Sequence, residues 1–389
     1  MNLPTVLTLV RLIIIPIMVA ALLVGRAWSD AAALLLLIGA IYTDNLDGRI
    51  ARRRGLVSPL GGLLDPLADA LLFVGLFACF VGRGWMPLWM FALFALRELV
   101  MHAFMRPYML ARQVVMKAKL LGKFKTGLQS GVGIGVILFE LALWFFPDAL
   151  APVKGVMRWT EWGFLLATAL LSVGSLYPYA VEVARSRGPR SRAPALDVLL
   201  CARLAYAPAL LLLLSLPARS AVSSALLATV FFEVSNLFSG RIARRIAPQD
   251  HMRVLLLPVS SRIARLCAVL VLLSVRGMDG PAGMALAFLL SGCYLMGAYG
   301  RRLVVSGGAP SPPRLSERVA SVAQGLFLVA AVGAVLLHYG RPVAPSVPEQ
   351  LQFLLALGIV CAVSAAAVLD RAVASRQRIK AMARPGPGH

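Results

Sequence analysis

The chain has 389 residues, 59% of them hydrophobic and only 14% charged, with a formal net charge of +22. A soluble domain carries about 25% charged residues, so there is too little charge here to coat a water-facing surface, and the chain reads as an all-α polytopic membrane protein. Cys79, Cys201, Cys267, Cys293 and Cys361 lie singly in apolar stretches, which argues against a disulfide framework or a zinc site.

Taken in chain order, the stretch Met1 to Gly25 has the length of a secretory leader. Arg11 interrupts its apolar run and no charged segment precedes it, so it is read as a retained first span. Joining apolar runs across isolated charges gives six spans in the first half, near Leu3–Val24, Ala31–Ile50, Gly61–Val81, Trp85–Met105, Gly127–Phe146 and Trp162–Val183. Six more follow near Val198–Pro217, Ala221–Ser239, Val254–Val275, Pro281–Gly300, Val319–Gly340 and Leu351–Leu369, for a working count of about 12. With a cytoplasmic N-terminus, the inner loops hold Arg52–Arg54, the stretch Arg106 to Lys125, Arg185–Arg192, Arg241–Arg245, Arg301–Arg314 and the tail Arg371–Arg384. The outer loops keep only scattered charges such as Arg26, Arg83, Lys154, Arg219 and Arg341, as the positive-inside rule requires. Both termini are therefore expected on the cytoplasmic side, as in a bacterial inner membrane, and the positive excess is assigned to membrane topology and not to nucleic acid.

The two halves repeat. At a shift of 192 residues Arg11-Leu12 falls on Arg203-Leu204, Pro16 on Pro208, Pro66 on Pro258, and Gly48-Arg-Ile-Ala-Arg-Arg53 on Gly240-Arg-Ile-Ala-Arg-Arg245. Leucine matches mean little between hydrophobic helices, but an identity with Gly and three Arg in constant register points to duplication. The expected domains are 1–188 and 189–389, joined by the Arg-, Ser- and Pro-rich linker around Arg185–Pro194. The copies differ in their acids: Asp44 becomes Asn236, Asp47 becomes Ser239, Asp65 becomes Leu257 and Asp69 becomes Ser261. The second copy is expected to be degenerate and non-catalytic.

In the first copy the spacing reads Asp44-x2-Asp47-Gly48-x2-Ala51-Arg52-x8-Gly61-x3-Asp65-x3-Asp69. Helical offsets of three and four put Asp44, Asp47, Gly48 and Ala51 on one face, and Gly61, Asp65 and Asp69 on another. Carboxylates in lipid cost about 2.5–3.5 kcal/mol each at a helix centre and repel one another. A divalent cation removes both penalties, and hard oxygen ligands without His or Cys favour Mg²⁺ or Mn²⁺, ions that bridge diphosphates. Gly48, Ala51 and Gly61 leave room for a ligand to approach the backbone, and Arg52 can meet phosphate oxygens. The competing reading is a salt-bridge collar of the same aspartates with Arg49, Arg52, Arg53 and Arg54.

The pattern resembles the signature of the CDP-alcohol phosphatidyltransferase family, with every signature position filled between residues 44 and 69. The resemblance implies a six-helix membrane unit in which Asp44, Asp47, Asp65 and Asp69 hold two divalent ions on a CDP diphosphate, with Asp69 also the base for an acceptor alcohol. Gly48, Ala51, Arg52 and Gly61 would face the nucleotide. Within the family the first half looks most like phosphatidylglycerophosphate synthases, through Asn2-Leu-Pro-Thr-Val-Leu-Thr-Leu-Val-Arg11, Leu64-Asp-Pro-Leu-Ala-Asp69, Arg97-Glu98 and Gly122-Lys-Phe-Lys-Thr126 with Gln129. That implies CDP-diacylglycerol and glycerol 3-phosphate as substrates. Those synthases usually carry Lys where this chain has Ala70, which leaves another acceptor of the same family open.

An anionic acceptor needs cations, and Arg112, Lys117, Lys123 and Lys125 in the loop before the fifth span are the candidates, with ordinary inner-loop charge as the alternative. Glu140 and Glu233 fall inside spans with no evident partner in the sequence. Family members are usually homodimers, so the second copy is expected to stand where a partner subunit would. A two-halved 12-helix transporter is the rival from another class, but its polar residues should gather near the midplane, whereas these gather at the inner ends of one half.

Overall fold

The computed structural model describes residues 3–54, 61–111, 120–185, 194–216, 218–246, 251–275, 277–305, 314–337 and 347–374. Among them there is helix and no strand. The first elements are α1 (Leu3–Val24), α2 (Ala27–Arg54), α3 (Gly61–Gly82), α4 (Leu88–Val100), a π-helical turn (Met101–Met105), α5 (Arg106–Ala111), α6 (Leu120–Phe145), α7 (Pro147–Leu150), α8 (Lys154–Gly174) and α9 (Tyr177–Arg185). Then follow α10 (Pro194–Ser215), α11 (Arg219–Ile246), α12 (His251–Val275), α13 (Pro281–Val305), α14 (Leu315–Leu337) and α15 (Val347–Ala374). Eleven helical segments are long and apolar enough to cross a bilayer, and Pro281–Gly297 is a further apolar helix just short of that length. In lipid a backbone must satisfy its own polar groups, which helices do internally. The chain is an all-α, multi-pass integral membrane protein.

Two compact units form. One comprises Met1–Arg97, Lys117–Tyr177 and Ala374–His389, the other Glu98–Met116 and Pro178–Val373. In the first, α1 packs on α2 and α3, α2 on α6, and α6 on α8. Helix α3 is enclosed on nearly every side, with every position from Ala70 to Val81 buried, and an apolar circumference is what a central helix requires. Its Phe77 meets Phe94 of α4 at 4.3 Å between ring centres. Gly25, at φ +72°, makes the tight turn from α1 to α2, a conformation that favours glycine. Beside it Arg83 holds Asp30 in a forked pair at 2.9 and 3.1 Å and donates to the Leu22 carbonyl.

The second unit repeats these pairings: α10 packs on α11 and α12, and α11 on α14. It also includes the end of the fourth span, whose π turn packs on α12 and α13. That turn has a local cause. The Arg106 N–H reaches back five residues to the Met101 carbonyl, and Pro107 next to it has no N–H to continue an α ladder. The span expected at Trp162–Val183 is divided, with α8 ending at Gly174 and α9 starting at Tyr177, just before Pro178.

Candidate functional site

Helices α1, α2 and α3 bring together a carboxylate cluster whose centre is Arg11. Its guanidinium is fully buried, and Nη1 lies 2.8 Å from Asp44 Oδ1 of α2 and 3.2 Å from Asp69 Oδ1 of α3. Thr8, three residues earlier on the same face of α1, donates from Oγ1 to Asp65 Oδ1 at 2.5 Å. The asymmetry of exposure matters: Arg11 is 0% exposed, while the side chains of Asp44 and Asp69 are 35% and 37% exposed. The acids open outward and the cation lies behind them.

Lys125 of α6 is buried and within electrostatic reach of Asp69, as are Asp44 and Asp65. The structure therefore joins Asp44, Asp65, Asp69 and Lys125 at one place. Asp47, Gly48, Ala51 and Arg52 continue α2, and Gly61 begins α3, but their side chains lie outside the described residues. Lys123 is on α6 with its side chain likewise outside, and Arg112 and Lys117 fall outside the described residues altogether. Ala70 is 2% exposed and packed against protein, so this position offers no open path for a lysine into the cluster.

Among the described residues no three acidic, His or Cys side chains are gathered as closely as a single ion requires. Asp44 and Asp69 both turn toward Arg11, and the Asp47 side chain lies outside the described residues. The donor set itself suits a hard dication: carboxylate oxygens only, no soft ligand, and two carboxylates already sharing one cation.

Sequence reasoning left three partners unassigned. Arg11 was visible as a charge within a span, which is expensive unless paired, yet its partners lie 33 and 58 residues away. Glu140 is paired with Arg158 at 2.5 Å, and Arg158 also meets Glu161 at 3.1 Å. Glu233 is gripped by Arg265, whose Nε donates to Oε1 at 2.9 Å. Arg97 donates to the Ser172 carbonyl and to Ser175 Oγ, and Glu98 meets His102 at 3.2 Å, so both belong to buried helix contacts.

In the second unit Arg203, 192 residues after Arg11, donates to the Leu257 and Ser235 carbonyls at 2.9 and 3.2 Å. Ser261 donates to Asn236 Oδ1 at 2.6 Å. A cluster of one guanidinium held by backbone carbonyls and an Asn–Ser hydrogen bond stands there in place of carboxylates.

A multi-pass helical membrane protein with a half-open carboxylate cluster between three spans is the class these features define. Residues 1–167 match the CDP-alcohol phosphatidyltransferase family. The chain is 32% identical over 164 residues to the CDP-diacylglycerol–glycerol-3-phosphate 3-phosphatidyltransferase of Bacillus subtilis, covering 38% of this chain and 84% of that one. It is 34% identical over 159 residues to the enzyme of the same name from Treponema pallidum, covering 40% and 71%. Over 152 residues it is 32% identical to the Mycoplasma genitalium enzyme of that name, covering 38% of this chain and 62% of that relative's length. The protein belongs to the CDP-alcohol phosphatidyltransferase family, which generally uses divalent metal ions. No solved structure matches it.

Proposed function

We propose that the protein transfers a phosphatidyl group from CDP-diacylglycerol to glycerol 3-phosphate and releases CMP. The observation that carries this reading is the convergence of Asp44, Asp65 and Asp69 with Lys125 at one half-open place, together with the relatives' names. Asp44, Asp47, Asp65 and Asp69 would hold two Mg²⁺ or Mn²⁺ ions, which when bound neutralise the diphosphate and stabilise the departing CMP.

The chain's own residues then do the following. Gly48, Ala51 and Gly61 give the nucleotide close access to the backbone, and Arg52 meets its phosphate oxygens. Lys125, with Arg112, Lys117 and Lys123, attracts the acceptor's phosphate. Asp69 takes the proton from the acceptor hydroxyl; the freed oxygen attacks the phosphorus that bears diacylglycerol. The bond to the CMP phosphate breaks, and its electron pair leaves with CMP.

The second copy, residues 189–389, would be non-catalytic and occupy the place of a homodimer partner. Support comes from the recurrence of the α1, α2, α3 and α6 pairings in α10, α11, α12 and α14. The termini and the cluster would lie on the cytoplasmic side, a reading supported by the loops rich in Arg and Lys. Purified protein with CDP-diacylglycerol and Mg²⁺ is expected to release CMP only when an acceptor is added, with glycerol 3-phosphate preferred over serine and inositol phosphate. Asp69→Asn should lower the rate by about 10²–10⁴-fold. Unchanged turnover in that variant, or preference for another alcohol, counts against the assignment.

A further inference from the structure

Gln129 on α6 carries a buried primary amide with nothing to bond. It is 1% exposed, and neither Oε1 nor Nε2 has a hydrogen-bond partner. A buried polar group left unpaired loses its hydration without a replacement bond, so an amide kept in this state needs an explanation.

Its place in the unit supplies one. Gln129 follows Lys125 by one helical turn, and Gly133 follows by another, so the three share one face of α6. That face is turned to the seam between α2 and α3, because a Cβ on Gly133 would lie 2.7 Å from Leu76 Cδ2 and 3.7 Å from Leu37 Cδ2. Leu76 stands two turns beyond Asp69 on α3, and Leu37 two turns before Asp44 on α2, which runs the opposite way. The Gly133, Leu76 and Leu37 layer is thus the apolar floor under the aspartates, with Lys125 at the aspartates' own level. Gln129 sits between the two layers, at the bottom of the cluster.

The second unit shows what the same amide does when the protein satisfies it. When α6 and α14 are aligned on their first residues, Leu120 and Leu315, a shift of 195 residues, Thr126-x2-Gln129 falls on Ser321-x2-Gln324. Gln324 Oε1 accepts from Arg265 Nη1 at 2.9 Å and from Tyr294 Oη at 3.3 Å, and Nε2 donates to Ser364 Oγ at 2.8 Å. Where the acids of the cluster are replaced, both ends of the amide find protein partners; beside Asp44, Asp65 and Asp69, neither end does.

We propose that the Gln129 amide reads a hydroxyl of the acceptor alcohol, the one on the carbon next to the attacking hydroxyl, while Lys125 attracts the acceptor's phosphate. An amide offers one donor side and one acceptor side to such a hydroxyl. A site built to bond a hydroxyl discriminates against an analogue that lacks it more strongly than an apolar pocket does. The inference rests on the proposed transfer to glycerol 3-phosphate.

The test compares glycerol 3-phosphate with 3-hydroxypropyl phosphate, which lacks that hydroxyl, in the unaltered chain and in Gln129→Met and Gln129→Leu. The unaltered chain should prefer glycerol 3-phosphate by about tenfold or more in kcat/KM. Both variants should lose most of that preference through a higher KM for glycerol 3-phosphate, with the KM for CDP-diacylglycerol unchanged. Their thermal midpoints in detergent should hold or rise, since an unpaired amide has been removed. Retained discrimination in both variants, or a fall in midpoint with all kinetic constants affected alike, overturns the role of Gln129 and leaves the transfer reaction standing. No CMP release from the unaltered chain with glycerol 3-phosphate overturns both.

Discussion

Arg11 is the residue on which the cluster's charge balance turns. A fully buried guanidinium beside two half-exposed carboxylates is stable only while it is paired, and breaking a buried pair by removing one partner costs about 3–5 kcal/mol. In Arg11→Gln the carboxylates Asp44 and Asp69 lose their cation, a loss that a divalent ion could offset. The variant's thermal midpoint should therefore fall clearly in EDTA and recover much of the difference in excess Mg²⁺, a metal dependence larger than that of the unaltered protein. Thermal scans of both proteins with and without the ion check this, and an equal deficit in both conditions would show that the ion and the guanidinium do not share the same carboxylates. Asp44, Asp65 and Asp69 could be chosen from spacing alone. Arg11 and Thr8 could not be given partners that way, because a contact 57 residues distant leaves no periodic trace.

At the level of elements, equivalent helices solve the same problem differently. Helices α1 to α3 bury a cation under acids, whereas α10 to α12 tie Arg203 to backbone carbonyls and place an internal Glu233–Arg265 pair nearby. Arg265 also donates to Ser321 Oγ at 3.0 Å, and Ser364 joins the network through Gln324. The start of α14 is tied to the end of α15, with Ser316 donating to Asp370 and Arg371 gripping Glu317. Such a network needs no external ion. Arg265→Met should destabilise the protein by about 3–5 kcal/mol by stranding Glu233, whereas Arg265→Met with Glu233→Met should recover most of that loss. Neither should alter the KM for glycerol 3-phosphate in the surviving folded fraction. Unfolding midpoints of the single and double variants form the measurement, and equal losses in the two would remove the pair from the account. The spans themselves were legible as apolar runs of about 20 residues. The π turn at Met101–Met105 and the division of α8 from α9 were not, since hydropathy averages over a window and does not register one missing N–H.

For the whole molecule, the proposed function and the proposed duplication carry a stoichiometry. One set of four aspartates per chain, replaced by Asn236, Ser239, Leu257 and Ser261 at the positions 192 residues later, predicts one nucleotide site per chain. Titration with a non-hydrolysable nucleotide analogue in the presence of Mg²⁺ should saturate at about one per chain; two per chain would restore the second copy as a binding unit.

Sequence by itself determined the solvent and the chemistry. Too few charges for a water-facing surface made this a membrane protein, periodic apolar runs set the spans, and the D-x2-D-G-x2-A-R-x8-G-x3-D-x3-D spacing marked the acids, because helical periodicity and local composition are properties of neighbouring residues. Only the tertiary structure decided which groups answer those acids and which are left unanswered. Arg11 and Thr8 reach Asp44, Asp65 and Asp69 from another helix, Arg158 and Arg265 find Glu140 and Glu233, and Gln129 finds nothing while Gln324 is satisfied. Burial makes each of these pairings energetically decisive, and burial is created by the packing of helices far apart in the chain.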